Sequence, residues 1–182
     1  DIEILSGDNG TPIMKSDTGS NNTYEIIRRS DGLQLKIYSK SKDEAKKFII
    51  KYRVLSVAVR YRDIAELYWK FIGQDTDVMI RNFRVNINLP QGASKNEIKA
   101  FAHGPLSGVV EIIDGQNIAL TLDKLNPNTS VEARILFPPS LIKDSYNALD
   151  KNALRDIMEE EGKWAREANA IRQRARAAVA IS

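Results

Sequence analysis

The sequence contains no cysteine and only one histidine. The absence of cysteine excludes disulfide bridges, a thiolate nucleophile and cysteine-ligated zinc. The two glycine-rich phosphate-binding motifs, G-x-x-x-x-G-K-[ST] and G-x-G-x-x-G, are also absent, so nothing indicates a nucleotide cofactor. The 27 basic and 24 acidic residues leave a net charge of +3, which is too small to predict nucleic-acid binding. No apolar run reaches the roughly 18 residues that a membrane-spanning helix needs.

What the 182 residues do contain is a repeated two-residue alternation of apolar and polar side chains. It occurs in the segments 33–37, 83–89, 118–122 and 131–137. Turn-forming residues separate such segments at Ser30-Asp31-Gly32, Asp114-Gly115 and Asn126-Pro127-Asn128. Short strands with one wet face predict a mainly β protein, with an antiparallel β-sandwich of immunoglobulin-like architecture over residues 1–139.

The alternation changes phase once, between residues 48 and 61. Apolar side chains occupy even positions from Phe48 to Val54 and odd positions from Leu55 to Tyr61. A strand with a two-residue period cannot do this without a bulge or a bend, which we place near Val54–Ser56. A single strand that crosses between two sheets would satisfy both halves.

The segment "AELYWKFIG", residues 65–73, departs from the two-residue alternation. The i, i+3, i+4 and i+7 spacing of one helical face is met by Ile64, Leu67, Tyr68 and Phe71. Asp63 can cap such a helix, with Glu66 at the capping-box position and Gly73 at the end. The spacing therefore predicts a short helix on a connection between strands, with Leu67, Tyr68 and Phe71 buried over one end of the sandwich.

After Pro138-Pro139 the period becomes helical. Steps of three and four residues link Leu154, Ile157, Trp164, Ala168, Ile171, Ala175 and Ala178. Glu161 stands where this seam requires an apolar residue. We predict that residues 140–182 form a long C-terminal helical stem, either a weak coiled coil or a helix that lies against the sandwich.

His103 is the only histidine, so a Ser-His-Asp triad would have to use it, and the sequence contains no G-x-S-x-G nucleophile elbow. "His103-Gly104-Pro105" is typical of a turn between strands, with the imidazole hydrogen-bonded locally. Asp63 and Glu66 could imitate a glycosidase pair, but helix capping explains both. The sequence therefore predicts no catalytic, cofactor-binding or metal-binding residue, and no cofactor.

Trp69 and His103 are the candidates for contact with a partner. Trp69 lies about 100° from Tyr68 around the predicted helix. Its ring could therefore stand beside the apolar stripe and meet a sugar or a peptide, although core packing is the commoner fate of tryptophan.

Three arginines, Arg172, Arg174 and Arg176, precede the apolar ending "AAVAIS". Cations suit the last turns of a helix. They also suit a stem that meets an anionic membrane surface just before a span. The partners predicted on this interpretation are a membrane lipid surface near the C-terminal helix and either a protein or an envelope polymer.

Several segments resemble the bacterial predicted membrane proteins grouped as domain of unknown function 2207. These segments are "KYRVLSVAVRYRDIAELYWKFIG", "VMIRNFRVNINLP", "AFAHGPLSG" and "VEARILFP", within a resemblance that runs from about Tyr24 to Ala178. Its most specific residues are Asp63, Trp69, Gly73, Leu89-Pro90, His103-Gly104-Pro105 and Phe137-Pro138. The helix "EEEGKWAREANAIRQRAR" is similar to the family's segment just ahead of its membrane span.

The resemblance implies a surface domain that follows a signal peptide and is tied to the membrane by later helices. It carries over no catalytic residues, and it implies that the family's early N-terminal strands are missing and that a membrane helix begins at "AAVAIS". The positive-inside rule would place the three final arginines in the cytoplasm, but long folded domains translocate largely regardless of charge. We therefore expect the domain on the extracytoplasmic side of the cell membrane.

These observations together predict a non-enzymatic, membrane-anchored module that binds a protein or an envelope polymer. The alternative is a cell-envelope hydrolase that uses His103 or the acidic residues near Trp69. A pocket that unites His103 with two carboxylates of raised pKa would favour the hydrolase.

Overall fold

The computed structural model describes residues 2–30 and 32–181, and the side chains among them except those at positions 175 and 178–181. The chain forms two compact units, Asp1–Leu55 and Ser56–Ser182. Each cluster of buried apolar residues draws its members from one unit only. Each unit therefore has a core of its own.

The first unit consists of two three-stranded sheets, with orders β2-β1-β6 and β3-β4-β5. Its strands are β1 (Ile2–Ser6), β2 (Thr11–Pro12), β3 (Met14–Lys15), β4 (Thr23–Arg29), β5 (Gly32–Tyr38) and β6 (Phe48–Tyr52). All pairs are antiparallel except the two-residue pair of β3 with β4. Ile4, Ile13 and Tyr24 form its small core. The β4–β5 hairpin turns where the sequence predicts, at Ser30 and Gly32, although the Asp31 of that turn lies outside the described residues.

The described part of the second unit has seven strands, two short 3₁₀ turns and a long helix. The strands are β7 (Ala58–Arg60), β8 (Ala65–Ile72), β9 (Ile80–Asn88), β10 (Lys99–His103), β11 (Val109–Ile112), β12 (Asn117–Leu125) and β13 (Val131–Phe137). The 3₁₀ turns are Lys95–Glu97 and Pro139–Ile142, and the helix is α1 (Leu154–Ile181).

The seven strands of the second unit form two antiparallel sheets that share one core. Their orders are β10-β13-β8-β7 and β11-β12-β9. One buried cluster takes residues from both sheets, among them Ala65, Ala133, Ile135, Phe137, Ile87, Ile118 and Leu120. Alternate residues of each strand therefore face inward, as in two stacked sheets. The prediction of a mainly β, antiparallel fold with a long C-terminal helix is confirmed.

The strand order differs from that of an immunoglobulin constant domain. Such a domain also has four strands in one sheet and three in the other, but its last strand lies at an edge of the three-stranded sheet. Here the last strand, β13, lies inside the four-stranded sheet, and β11 is the edge of the other sheet. The immunoglobulin-like part of the prediction is therefore not confirmed.

Helix α1 covers the outer face of the four-stranded sheet. Ala153 and Ile157 pack there with Ile64 and Leu136 in a second buried cluster. The second unit thus has three layers, namely the three-stranded sheet, the four-stranded sheet and the helix. Of the two alternatives for the stem, the structure has the helix against the sheet. The predicted seam residues Ala175 and Ala178 lie outside the described side chains.

Residues 65–72 form the strand β8, so the prediction of a short helix there is wrong. β8 lies between β13 and β7 and pairs antiparallel with both. A segment of only eight residues fits both periods, and its Tyr, Trp, Phe and Ile residues favour a strand once two neighbouring strands satisfy its backbone. The predicted plug is also absent, because Tyr68 is 37% exposed, while Leu67 and Phe71 pack half-buried against the core.

The change of phase between residues 48 and 61 marks the boundary between the units. β6 ends at Tyr52 in a sheet of the first unit, and β7 begins at Ala58 in a sheet of the second. Between them Ser56 has a φ of 57°, in the left-handed region. The bend predicted near Val54–Ser56 is confirmed, although two strands rather than one carry the two halves.

Candidate functional site

The outer face of the four-stranded sheet carries a cluster of charged and aromatic side chains beneath α1. Two rows of cross-strand neighbours supply its base, Tyr68–Arg134–Phe101 and Lys70–Glu132–His103. Alternate residues of a strand share one face, so both rows lie on the same side of the sheet. Helix α1 adds Glu160, Glu161 and Trp164. We call the group formed by Arg134, Glu66, Glu160 and Glu161 the Arg134 cluster.

Arg134 is the centre of this cluster and is only 6% exposed. Its Nη1 donates to Glu160 Oε2 and to Glu161 Oε1, both at 2.7 Å. Its Nε lies 2.8 Å from Glu66 Oε1, a contact between charges without hydrogen-bond geometry. Burial by itself would lower the pKa of Arg134, but the surrounding carboxylates outweigh it and raise that pKa above its ordinary value. The guanidinium therefore stays charged and joins the sheet to α1.

Two aromatic rings, those of Tyr68 and Trp164, pack against the guanidinium of Arg134. The guanidinium carbon of Arg134 lies 4.4 Å from the centre of the Tyr68 ring and 5.4 Å from that of Trp164. Such cation–π contacts gain strength where water is excluded. The two rings therefore shield the ion pairs and pack a strand against the helix.

His103 lies at the margin of the Arg134 cluster, at the end of β10. Its ring meets Trp164 edge-on at 4.7 Å and Tyr68 at 5.9 Å between ring centres. Its Nε2 lies 3.3 Å from Glu161 Oε1 but makes no hydrogen bond of acceptable geometry. The turn predicted after His103 is confirmed, since β10 ends there, whereas the nearest charged partner of the imidazole comes from α1 rather than from the turn.

Glu132 is the remaining carboxylate of this face, and it is occupied. It accepts a hydrogen bond from Tyr68 Oη at 2.8 Å and pairs with Lys70 Nζ at 3.0 Å. Burial opposes ionisation of Glu132, but these donors outweigh burial and hold its pKa below the ordinary value. Burial and the bond to Glu132 together raise the pKa of Tyr68 to about 12.

The start of α1 is fixed by a residue from a different part of the chain. Asp63 Oδ1 accepts a hydrogen bond from the backbone N–H of Ala153 at 2.9 Å, and Oδ2 accepts one from Leu154 at 3.2 Å. A carboxylate at a helix N-terminus satisfies unpaired N–H groups and complements the helix dipole. The prediction that Asp63 caps a helix over residues 65–72 is wrong, because those residues form a strand and Asp63 instead caps α1, 90 residues further along the chain. Glu66 faces Arg134 instead of completing a capping box.

A cavity of about 410 Å³ adjoins the Arg134 cluster and is partly open to solvent. The strand β10 and the turn after it form one wall, and the α1 residues Trp164, Ala168 and Arg172 form another. Leu120 and Leu122 of β12 reach it from the core. The cavity therefore connects the interior of the sandwich with the surface beside α1.

The two residues predicted to contact a partner lie on opposite faces of one sheet. Trp69 is paired with Ala133 in register and is half-buried. His103 pairs with Glu132, which neighbours Ala133 on β13. Adjacent residues of a strand point to opposite faces, so His103 and Trp69 face opposite sides of the sheet. The structure does not bring them into one site.

The three arginines predicted to lie near a membrane are all exposed on α1. Arg172 lines the cavity, donating from Nη1 to Asn169 Oδ1 at 3.1 Å and from Nη2 to the Leu106 carbonyl at 3.4 Å. Arg174 and Arg176 do not line it. One of the three thus differs from the others in its surroundings.

Comparison with known protein families completes this description. Residues 5–137 match the family model DUF2207, described as the N-terminal domain of a predicted membrane protein. The chain belongs to this family. The DUF2207 match ends with β13, so it contains Arg134, Glu66, Glu132 and His103 but not the helix that completes the cluster. No curated protein and no solved structure matches the chain.

Within the described part of this DUF2207 chain, neither a membrane-spanning helix nor a metal site is found. No helix has the length and apolarity needed to cross a bilayer. No group of three or more His, Asp or Glu side chains could hold a metal ion.

Proposed function

We propose that this DUF2207 domain is the non-catalytic, extracytoplasmic module of a membrane-anchored protein and that it binds a partner protein or an envelope polymer. The observation that carries the proposal is the Arg134 cluster, in which one buried arginine joins β8 and β13 to two carboxylates of α1. A helix held in this way moves with the sheet rather than independently of it. A stem of this kind would hold the module at a set orientation to the membrane.

The state of the carboxylates supports a structural role for the cluster over a hydrolytic one. His103 does have Glu161 within 3.3 Å in the wall of a cavity, as a hydrolase would require. However, Glu161 is already paired with Arg134, and the pKa of Glu132 is lowered, whereas a general acid at neutral pH needs a raised one. Ion-pair networks of this kind also serve to fix one arrangement of packed elements.

The side of the membrane is tested by labelling single cysteines in the full-length membrane-bound protein. Because the sequence has no cysteine, Asn126→Cys in the exposed turn after β12 would introduce the only thiol of this domain. We expect a membrane-impermeant maleimide to label it in intact cells. Labelling that requires permeabilisation would place the domain in the cytoplasm and contradict the proposal.

The binding function is tested separately with the isolated chain. We expect it to cosediment with purified envelope polymer or to crosslink to one membrane-envelope protein in a saturable manner. The substitution His103→Gln serves to distinguish the alternative, because a hydrolytic activity that this change abolishes in a folded protein would favour the hydrolase.

A further inference from the structure

The cavity beside the Arg134 cluster has the size and lining of a ligand site. Its volume is about 410 Å³. Small-molecule pockets typically have volumes of about 300–1,000 Å³. Leu120, Leu122 and Val131 are buried core residues that also line it, and Val110 adds a further aliphatic side chain. An apolar ligand that covers these side chains would remove them from water, which favours its binding.

One charged group in the wall of this cavity has no charged partner. Arg172 donates only to an amide oxygen and a backbone carbonyl, and no described carboxylate lies within ion-pair distance of it. The other charged wall residue, Glu161, is paired with Arg134 at 2.7 Å. The cavity therefore offers an aliphatic interior with one uncompensated positive charge in its wall.

This combination selects among ligand classes. A peptide inserted between the sheets would bury N–H and C=O groups against aliphatic side chains, and each of these groups that finds no partner opposes binding. A straight hydrocarbon chain carries no such groups. A single anionic head group would complement Arg172, whereas a cationic one would be repelled.

We infer that the cavity binds a medium-chain fatty acid, with the acyl chain among Leu120, Leu122 and Val131 and the carboxylate at Arg172. The inference adds a small-molecule site and does not depend on the proposed function, although His103, a candidate for partner contact, lies in the wall of the same cavity. It assigns to Arg172 a role that Arg174 and Arg176 do not share.

Isothermal titration of the 182-residue chain with dodecanoate, below its micellar concentration, tests the inference. Dodecanol provides the same chain without charge, and dodecyltrimethylammonium provides it with a positive charge. We expect saturable binding of one dodecanoate, weaker binding of dodecanol, still weaker binding of the cation, and none of acetate. Equal binding of dodecanoate and the cation, or no saturable binding of dodecanoate, would overturn the inference.

Two variants locate the site. Arg172→Gln should weaken dodecanoate binding about fivefold, the order of one exposed ion pair, and leave dodecanol binding unchanged. Arg174→Gln is the matched control on the same helix and should bind dodecanoate as the unmodified chain does. Equal losses in both variants would mean nonspecific attraction to a basic helix.

Filling the cavity gives an independent check. Ala168→Trp should abolish binding of both dodecanoate and dodecanol, with folding verified by circular dichroism. If the Ala168→Trp chain is folded and still binds dodecanoate, or if Arg172→Gln binds it with full affinity, the ligand occupies another place and the inference fails.

Discussion

At the scale of single residues, Arg134 balances the buried carboxylates Glu66 and Glu161, which are 8% and 4% exposed. Replacement of Arg134 by Met would leave both without a counter-charge. Breaking a buried pair by removal of one partner costs about 3–5 kcal/mol. We expect Arg134→Met to lower the free energy of unfolding by that amount in urea titrations.

Two further variants show whether this loss comes from unpaired buried charge. Arg81→Met, at an exposed position of β9, should change the free energy of unfolding by less than about 0.5 kcal/mol. Arg134→Met combined with Glu66→Gln and Glu161→Met should regain most of the stability, because no buried charge then lacks a partner. A loss below about 1 kcal/mol for Arg134→Met alone would mean that water reaches the carboxylates.

The raised pKa of the Tyr68 hydroxyl leads to a prediction about stability at alkaline pH. Burial and the hydrogen bond to Glu132 raise its pKa from 10.0 to about 12. Because the folded-state pKa is the higher one, the stability that this contributes is complete below pH 10 and is lost as the pH rises from about 10 to 12. Absorbance titration of the six tyrosines should therefore contain a component near pH 12 that Tyr68→Phe removes. Tyr146→Phe, at a side chain that is 98% exposed, should leave that component in place.

At the scale of elements, α1 begins at a cap supplied by the loop before β8. Asp63→Ala removes both hydrogen bonds to the helix start, and loss of an N-cap costs about 1 kcal/mol. We expect this loss in the free energy of unfolding, together with faster amide exchange in the first turn of α1. Asp77→Ala, in an exposed loop, is the control and should change neither quantity. Unchanged exchange at Leu154 in Asp63→Ala would mean that the cap does not hold the helix.

At the scale of the whole molecule, the two halves of α1 differ in their surroundings. The packed half runs from Leu154 to Trp164, and the half with Arg172, Arg174 and Arg176 lies beyond the Arg134 cluster. Near an anionic surface each arginine is worth about 1 kcal/mol, so three give a weak attraction. We expect the chain to associate with anionic liposomes at low salt and to dissociate near physiological salt, where screening is stronger.

Two truncations distinguish liposome association from the stability of the second unit. Deletion of everything after Glu167 should abolish the liposome association and leave the second unit folded, because the Arg134 cluster remains. Deletion from Ala153 onward should unfold the second unit, since it removes Glu160, Glu161 and the cover of Leu136. If the first deletion also unfolds the unit, the distal half of α1 is part of the core. If the second leaves the melting temperature unchanged, α1 is not needed for stability.

The sequence by itself determined the periods, and hence several of the strands and the long C-terminal helix. Alternation in 83–89, 118–122 and 131–137 predicted β9, β12 and β13, and the change of phase predicted a bend near Val54–Ser56. That this bend separates two units came only from the structure. The residue type of Asp63 indicated a helix cap, but the sequence assigned it to the wrong helix. These features are local, because side-chain period and capping chemistry depend on residues a few positions apart.

Only the tertiary structure decided the state of residues 65–72 and the partners of the charged residues. An eight-residue run fits a helix and a strand equally well until β7 and β13 supply backbone partners on both sides. In the sequence, the only indication of the Arg134 cluster was Glu161, a charged residue at an apolar position of the helical seam. Its meaning depended on an arginine in the strand β13, at a register that no local rule predicts. Long-range pairing of charges is set by how the sheet and helix pack, and that packing joins residues distant in sequence.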